Sequence, residues 1–254
     1  MLLNMFSKYK KYIYNYHTME QRSAPTILKV KDFDGDERFQ DIHPNLPQMP
    51  SLTLLIGSIK SGKSNLVINM LCNPQFYLDK FDIVRVLSST LHMDNKMKIL
   101  NKHFDCDDHY EDRFIDEIVA SQGEFEKDDP LRPKYCLVLD DILTTDFMKR
   151  SNKLSFFATR MRHYIDMMII SSQSLNHIPP LIRAQVRDLI VAKQQNHKEV
   201  IKLQEQFGGL LGEGGDKKFI EIYNDIHKEP YQMMYMKLSE NPIHIYRNFS
   251  ERVF

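Results

Sequence analysis

Residues 57–64 read Gly57-Ser-Ile-Lys-Ser-Gly62-Lys63-Ser64 and match the pattern G-x-x-x-x-G-K-[ST] in full. An apolar run, Leu52-Thr-Leu-Leu-Ile56, precedes them, and a helical spacing over Asn65–Leu71 follows. Few folds satisfy that string. The glycines let main-chain N–H groups turn inward around phosphate oxygens, and the helix that follows adds the positive end of its dipole. Lys63 is a point charge for the β and γ phosphates, and the Ser64 hydroxyl is a ligand for Mg²⁺. Gly57, Ser58, Ile59, Lys60, Ser61, Gly62, Lys63 and Ser64 therefore form a candidate cradle for ATP.

The rest of the chain repeats the strand–helix alternation. Further strands are expected at Ile83–Leu87, Tyr135–Leu139, Met167–Ile170 and Leu189–Ala192. Helical spacing is expected over Met93–Phe104, Arg113–Gln122 and Leu154–Met161, with another helix opening at Pro179-Pro180. Short apolar runs separated by helices predict a mostly parallel sheet covered on both faces, an α/β fold. Five of the nine glycines cluster between Gly208 and Gly215, which reads as a loop of unusual backbone freedom. Residues 1–50 read as an N-terminal arm in front of a domain over 51–254. In the arm Tyr9, Tyr12, Tyr14 and Tyr16 alternate with Lys and Asn, the polar stretch Asp32–Glu37 follows, and Pro44, Pro47 and Pro50 punctuate its end; Met19 is an alternative start.

Composition narrows the class. With 42% hydrophobic and 27% charged residues, the 254-residue chain can bury a core, and no apolar stretch reaches the roughly 18 residues of a membrane helix. The first residues are too short an apolar run for a signal peptide, so a soluble, unexported protein with no transmembrane segment is expected. Cys72, Cys106 and Cys136 stand too far apart for a disulfide framework or a zinc site. The net charge is zero but unevenly spread. Residues 104–146 carry 4 basic and 14 acidic groups, and residues 147–202 carry 10 and 3. The second block, a net of +7 (10 − 3), can supply a local basic face for a polyanion.

A phosphate loop needs an acid at the tip of a second buried strand, and Cys136-Leu-Val-Leu-Asp140-Asp141 supplies two. Asp140 suits the Mg²⁺ shell through water, and Asp141 suits the general base that faces the attacking water. The next strand runs on into Ser171-Ser-Gln173, and the Gln173 amide can both donate to phosphate and accept from water. A DNA-directed ATPase, a P-loop nucleotide kinase and a nucleotide-gated scaffold all remain open on these residues alone. The absence of an evident arginine-rich lid weighs against the kinase, although Arg183 and Arg187 would pass for one.

These segments, together with Thr159-Arg-Met-Arg162-His163, Ser172-Gln173…Ile178-Pro-Pro180-Leu-Ile-Arg183, Val86-Leu-Ser-Ser-Thr90 and Tyr246-Arg-Asn248, occur in an order that resembles the genome-packaging ATPases of large DNA viruses and their satellite viruses. That family, which includes the poxvirus-type enzymes, is the viral branch of the FtsK–HerA superfamily. The resemblance covers about residues 51–250 and implies a RecA-like P-loop fold with an extra strand between the two phosphate-site strands. It implies a ring, commonly hexameric, that hydrolyses ATP with Mg²⁺ and pumps double-stranded DNA into a capsid, with capsid or portal-vertex proteins as partners. The setting it implies is the host cytoplasm or viral factory, or association with the virion. Gln173 would be the γ-phosphate sensor, and Arg162, with Arg183 second, the arginine that reaches a neighbour's site. A helicase or a segregation-type DNA pump is the alternative within the superfamily. Asp141 departs from the glutamate usual in the wider division.

Overall fold

The computed structural model describes residues 39, 41–126, 129–143 and 153–254. The tyrosine-rich part of the arm, Met19 and the Asp32–Glu37 stretch lie outside the described residues. The end of the arm is packed on the domain: Leu46 is buried, the Tyr77 hydroxyl donates to the Pro47 carbonyl at 2.8 Å, and Lys237 Nζ donates to the Pro44 carbonyl at 2.9 Å.

Strand β1 (Ser51–Ile56) carries the chain into the phosphate loop, and helix α1 (Lys63–Cys72) leaves it. Then follow β2 (Ile83–Ser88), α2 (Met97–His103), β3 (Asp105–Asp107), α3 (Asp112–Gln122) and β4 (Tyr135–Asp140). After them come α4 (Lys153–Arg160), β5 (Met167–Ser172), α5 (Pro180–Arg183), β6 (Asp188–Ala192), α6 (His197–Phe207) and α7 (Gly215–Ile226). Strands β7 (Met233–Lys237), β8 (His244–Arg247) and β9 (Glu251–Arg252) end the chain. One sheet of order β3-β2-β4-β5-β1-β6-β7-β8-β9 takes all nine. The first six strands in that order pair in parallel, and β6 through β9 pair antiparallel.

The buried strands read as continuous apolar runs because both faces are covered. Alternation still sorts their side chains. Leu52, Leu54 and Ile56 of β1 join Met168 and Ile170 of β5 in a core under α3, α4, α6 and α7, while Leu55, Met167 and Ile169 face the opposite core under α1 and α2. Because β5 pairs with both β1 and β4, it separates the strand that feeds the phosphate loop from the strand that ends in Asp140. This is the RecA-like P-loop arrangement that the resemblance implied.

Five strands fall within a residue or two of their expected places; β3 and the three antiparallel strands were not expected. The helix expected over Met93–Phe104 starts at Met97, because the Asp94 side chain accepts the Lys96 amide at 2.8 Å and stabilises a turn there. The glycine cluster is not an open loop. A 3₁₀ turn (Gly208–Leu211) and the start of α7 at Gly215 fold it into a corner between α6 and α7.

Candidate nucleotide site

The phosphate loop is held from three sides. The Gly57 amide donates to the Ser172 carbonyl of β5 at 3.1 Å. Ser58 Oγ donates to Gln194 Oε1 at 3.0 Å and accepts the Gln195 amide at 2.8 Å, which ties the loop to the segment after β6. A Cβ on Gly57 would lie 2.6 Å from the Ala192 Cβ, so only glycine lets β1 and β6 come this close. Gly62 turns the chain into α1 with φ 102°, a conformation side chains strain to adopt. No side chain caps α1, and its first N–H groups are left for an anion. Helix α6 differs: its Asn196 side chain accepts the Lys198 amide at 2.9 Å.

Lys63 is buried at 6% exposure and folds back over the loop, where its Nζ donates to the Gly57 carbonyl at 2.8 Å and the Ser58 carbonyl at 3.4 Å. The same nitrogen lies 3.8 Å from Asp141 Oδ2. Asp141, just past β4, takes the left-handed conformation (φ 49°), and its Oδ2 accepts Gln173 Nε2 at 3.2 Å across the tip of β5. Lys63, Asp141 and Gln173 are therefore brought together as expected from their strand positions.

Asp140 is buried at the tip of β4, and its Oδ2 accepts the Ser88 hydroxyl at 3.1 Å. Burial pushes its carboxyl above the ordinary range and the Asp141 charge adds to the rise, against the hydroxyls of Ser171 and Ser88 and the charge of Lys63. Its Oδ1 is buried without a hydrogen-bond partner, and so is the Ser61 hydroxyl. An orphaned carboxylate oxygen at the tip of β4 is a hard donor of the kind Mg²⁺ takes, and Asp140 with Ser64 fits that ion.

The loop opens into a cleft of about 1190 Å³. Its other walls come from Thr90–Lys96 after β2 and from the residues flanking β7 and β8. The second of these walls was missed in the sequence, apart from Asn248, which carries part of the family resemblance. Arg162 and Arg183 are not brought to the cleft. Arg162 is exposed in a 3₁₀ turn (Met161–His163) ahead of β5, and Arg183 ends α5 ahead of β6, donating to Gln206 Oε1 at 3.2 Å. Both stand at the amino ends of the strands, opposite the phosphate loop.

No family model and no curated protein matches the sequence. The fold, however, resembles solved structures. B204, the DNA-packaging ATPase from Sulfolobus Turreted Icosahedral Virus, superimposes over 79% of this chain and 98% of its own with a TM-score of 0.54, at 14% identity. The genome packaging NTPase B204 from Sulfolobus turreted icosahedral virus 2 in complex with AMP covers 77% of this chain and 96% of its own, with a TM-score of 0.48 and 17% identity. EssC from Geobacillus thermodenitrificans (ATPases 2 and 3) matches 61% of this chain and 34% of its own, with a TM-score of 0.48 and 14% identity. At such identities the likeness is one of fold, and the first superposition carries it.

Proposed function

We propose that the chain is a Mg²⁺-dependent ATPase that drives double-stranded DNA into a viral capsid as a ring of identical subunits. The observation that carries this reading is the meeting of Lys63, Asp141 and Gln173 beside the phosphate loop, with the buried Asp140 next to Asp141 at the tip of β4. The loop and the start of α1 bind the triphosphate, and Lys63 exchanges its two carbonyl partners for phosphate oxygens. Asp141 orients the attacking water and takes its proton; Gln173, hydrogen-bonded to Asp141, reports the γ-phosphate to that base. Ser64 and Asp140 hold Mg²⁺, which when bound neutralises phosphate charge.

Arg162 and Arg183 lie far from their own subunit's cleft, which fits a finger offered to a neighbour in a hexameric ring. An Arg162→Ala subunit mixed into wild-type rings then depresses activity by more than its share, and a strictly proportional loss removes Arg162 from that role. The DNA contact falls on phosphates and is indifferent to sequence. Its candidates are the basic block over 147–202 and Lys217 with Lys218, both exposed on the first turn of α7. Residues 51–254 are the motor. The arm over 1–50 is assigned to contacts with the capsid, the portal vertex or the next subunit, in the host cytoplasm, the viral factory or the virion.

The test is steady-state ATP hydrolysis with and without long double-stranded DNA at two salt concentrations, beside a Lys63→Ala control. The motor predicts stimulation by DNA of any sequence, weakened by salt and absent in the control. Turnover indifferent to DNA overturns the motor, and phosphate transfer to nucleoside monophosphates is then measured in its place.

A further inference from the structure

The cleft wall contributed by the carboxyl-terminal strands has no task in phosphate binding. Tyr231, two residues ahead of β7, takes the left-handed conformation (φ 61°), and its ring is 70% exposed. The ring lies beside the phosphate loop, its Cδ1 3.7 Å from where a Cβ on Gly62 would be. Asn248 and Phe249, between β8 and β9, are left-handed too, with φ 51° and 65°. Phe249 meets Phe76 edge-on, with ring centroids 5.5 Å apart. Three left-handed residues without glycine on one wall are strain that the surrounding packing maintains.

The polar group on this wall is already engaged. Asn248 Oδ1 accepts the Met233 amide at 2.8 Å, the Asn248 amide donates to the Met233 carbonyl at 3.0 Å, and its Nδ2 donates to Gln232 Oε1. Met233, Phe249 and Phe76 present apolar surface. A flat aromatic ring open to the cleft, backed by an apolar floor and a spent carboxamide, has the chemistry to stack a base, and this wall offers it no free side-chain amide to read its edge.

We infer that this wall is the nucleobase subsite, that Tyr231 carries the stacked base, and that the site takes nucleoside triphosphates without reading the identity of the base, adenine and guanine included. The inference rests on the nucleotide-site reading and extends it to substrate class. Calorimetric titration of the intact chain with ADP, GDP and inorganic tripolyphosphate tests it. Asparagine tolerates the left-handed backbone, so Tyr231→Asn removes the ring with little strain, and Tyr231→Phe keeps the stack. The wild type binds ADP and GDP with affinities within about threefold of each other, because stacking tolerates any base. Tyr231→Asn weakens both by about tenfold, the order of a lost base–aromatic stack, while Tyr231→Phe stays near wild type. Tripolyphosphate, which has no base, binds Tyr231→Asn and wild type alike. Unchanged nucleotide affinity in Tyr231→Asn, an equal loss for tripolyphosphate, or a tenfold preference for one purine overturns the inference and leaves the phosphate site standing. A wild-type chain that binds neither nucleotide nor tripolyphosphate overturns both.

Discussion

The two ends of the same sheet treat buried acids in opposite ways. At the amino ends the acids are satisfied. Asp166 accepts Arg132 Nη2 at 2.9 Å and the Tyr135 amide at 2.8 Å, and Asp188 accepts Ser51 Oγ at 2.7 Å and the Tyr235 hydroxyl at 2.6 Å. At the carboxyl ends Asp140 Oδ1 and the Ser61 hydroxyl are buried with no partner, and Lys60 and Asp141 sit in left-handed backbone. Satisfied networks pin one arrangement of the strands, whereas orphaned groups and strain raise the energy of the empty site. The lesson is a division of labour: one edge holds the fold, and the other keeps its hydrogen-bonding capacity for what binds there.

The largest effect expected is at the holding edge. Arg132→Ala leaves the Asp166 charge buried and poorly paired, since both side chains of the pair are 1% exposed, and it should cost about 3–5 kcal/mol in a denaturant titration. Hydrolysis per folded molecule should change little. A loss of stability below 1 kcal/mol would break the comparison from that side. Next comes Lys63→Ala, which should lower kcat by about 10²–10³-fold, the scale of one lost charge-stabilising donor, with folding nearly intact. Smaller again is Gln173→Ala, expected to lower kcat by about tenfold or more through a base less well oriented. Its signature is a kcat loss with KM near wild type; a pure KM effect would place Gln173 in ground-state binding.

Much of the holding architecture was legible because it repeats. Apolar runs of four or five residues between helical spacings placed β1, β2, β4, β5 and β6, and the glycine-lysine string marked the loop between β1 and α1. The order of the chain also placed Asp140, Asp141 and Gln173, since consecutive strand tips converge in a parallel sheet. What stayed hidden depends on long-range contact. The β7–β8 hairpin carries a readable pattern in Met233–Lys237 and His244–Arg247, yet nothing local announces that the residues around it wall the cleft beside Gly62. Tyr231 is an ordinary exposed tyrosine until the fold sets it there. The glycines at 208–215 drew attention as a loop, whereas tertiary packing makes them a helix corner. The orphaned Oδ1 of Asp140 is invisible to sequence altogether, since it depends on which hydroxyls fail to reach it.

The smallest effect sharpens the comparison most. If the carboxyl edge keeps Asp140 unsatisfied for a ligand, neutralising it should stabilise the empty protein and abolish its use. Burial holds the folded Asp140 carboxyl above the ordinary range, so the folded state binds more protons than the unfolded chain between the two pKa values. Stability therefore falls as pH rises from the unfolded pKa of about 3.9 to the raised folded value, and the cost stays in full above it. Asp140→Asn carries no such charge. Without nucleotide at pH 7 its Tm should exceed wild type, and the gap should close toward pH 4. With ADP and Mg²⁺ the order reverses, because the wild type gains the ligand's binding energy on its carboxylate and the variant does not. Thermal scans of both proteins across pH, with and without Mg²⁺ and ADP, decide the matter. An Asp140→Asn protein that melts below wild type in every condition would make Asp140 one more holding residue, and the two edges would then differ in degree only.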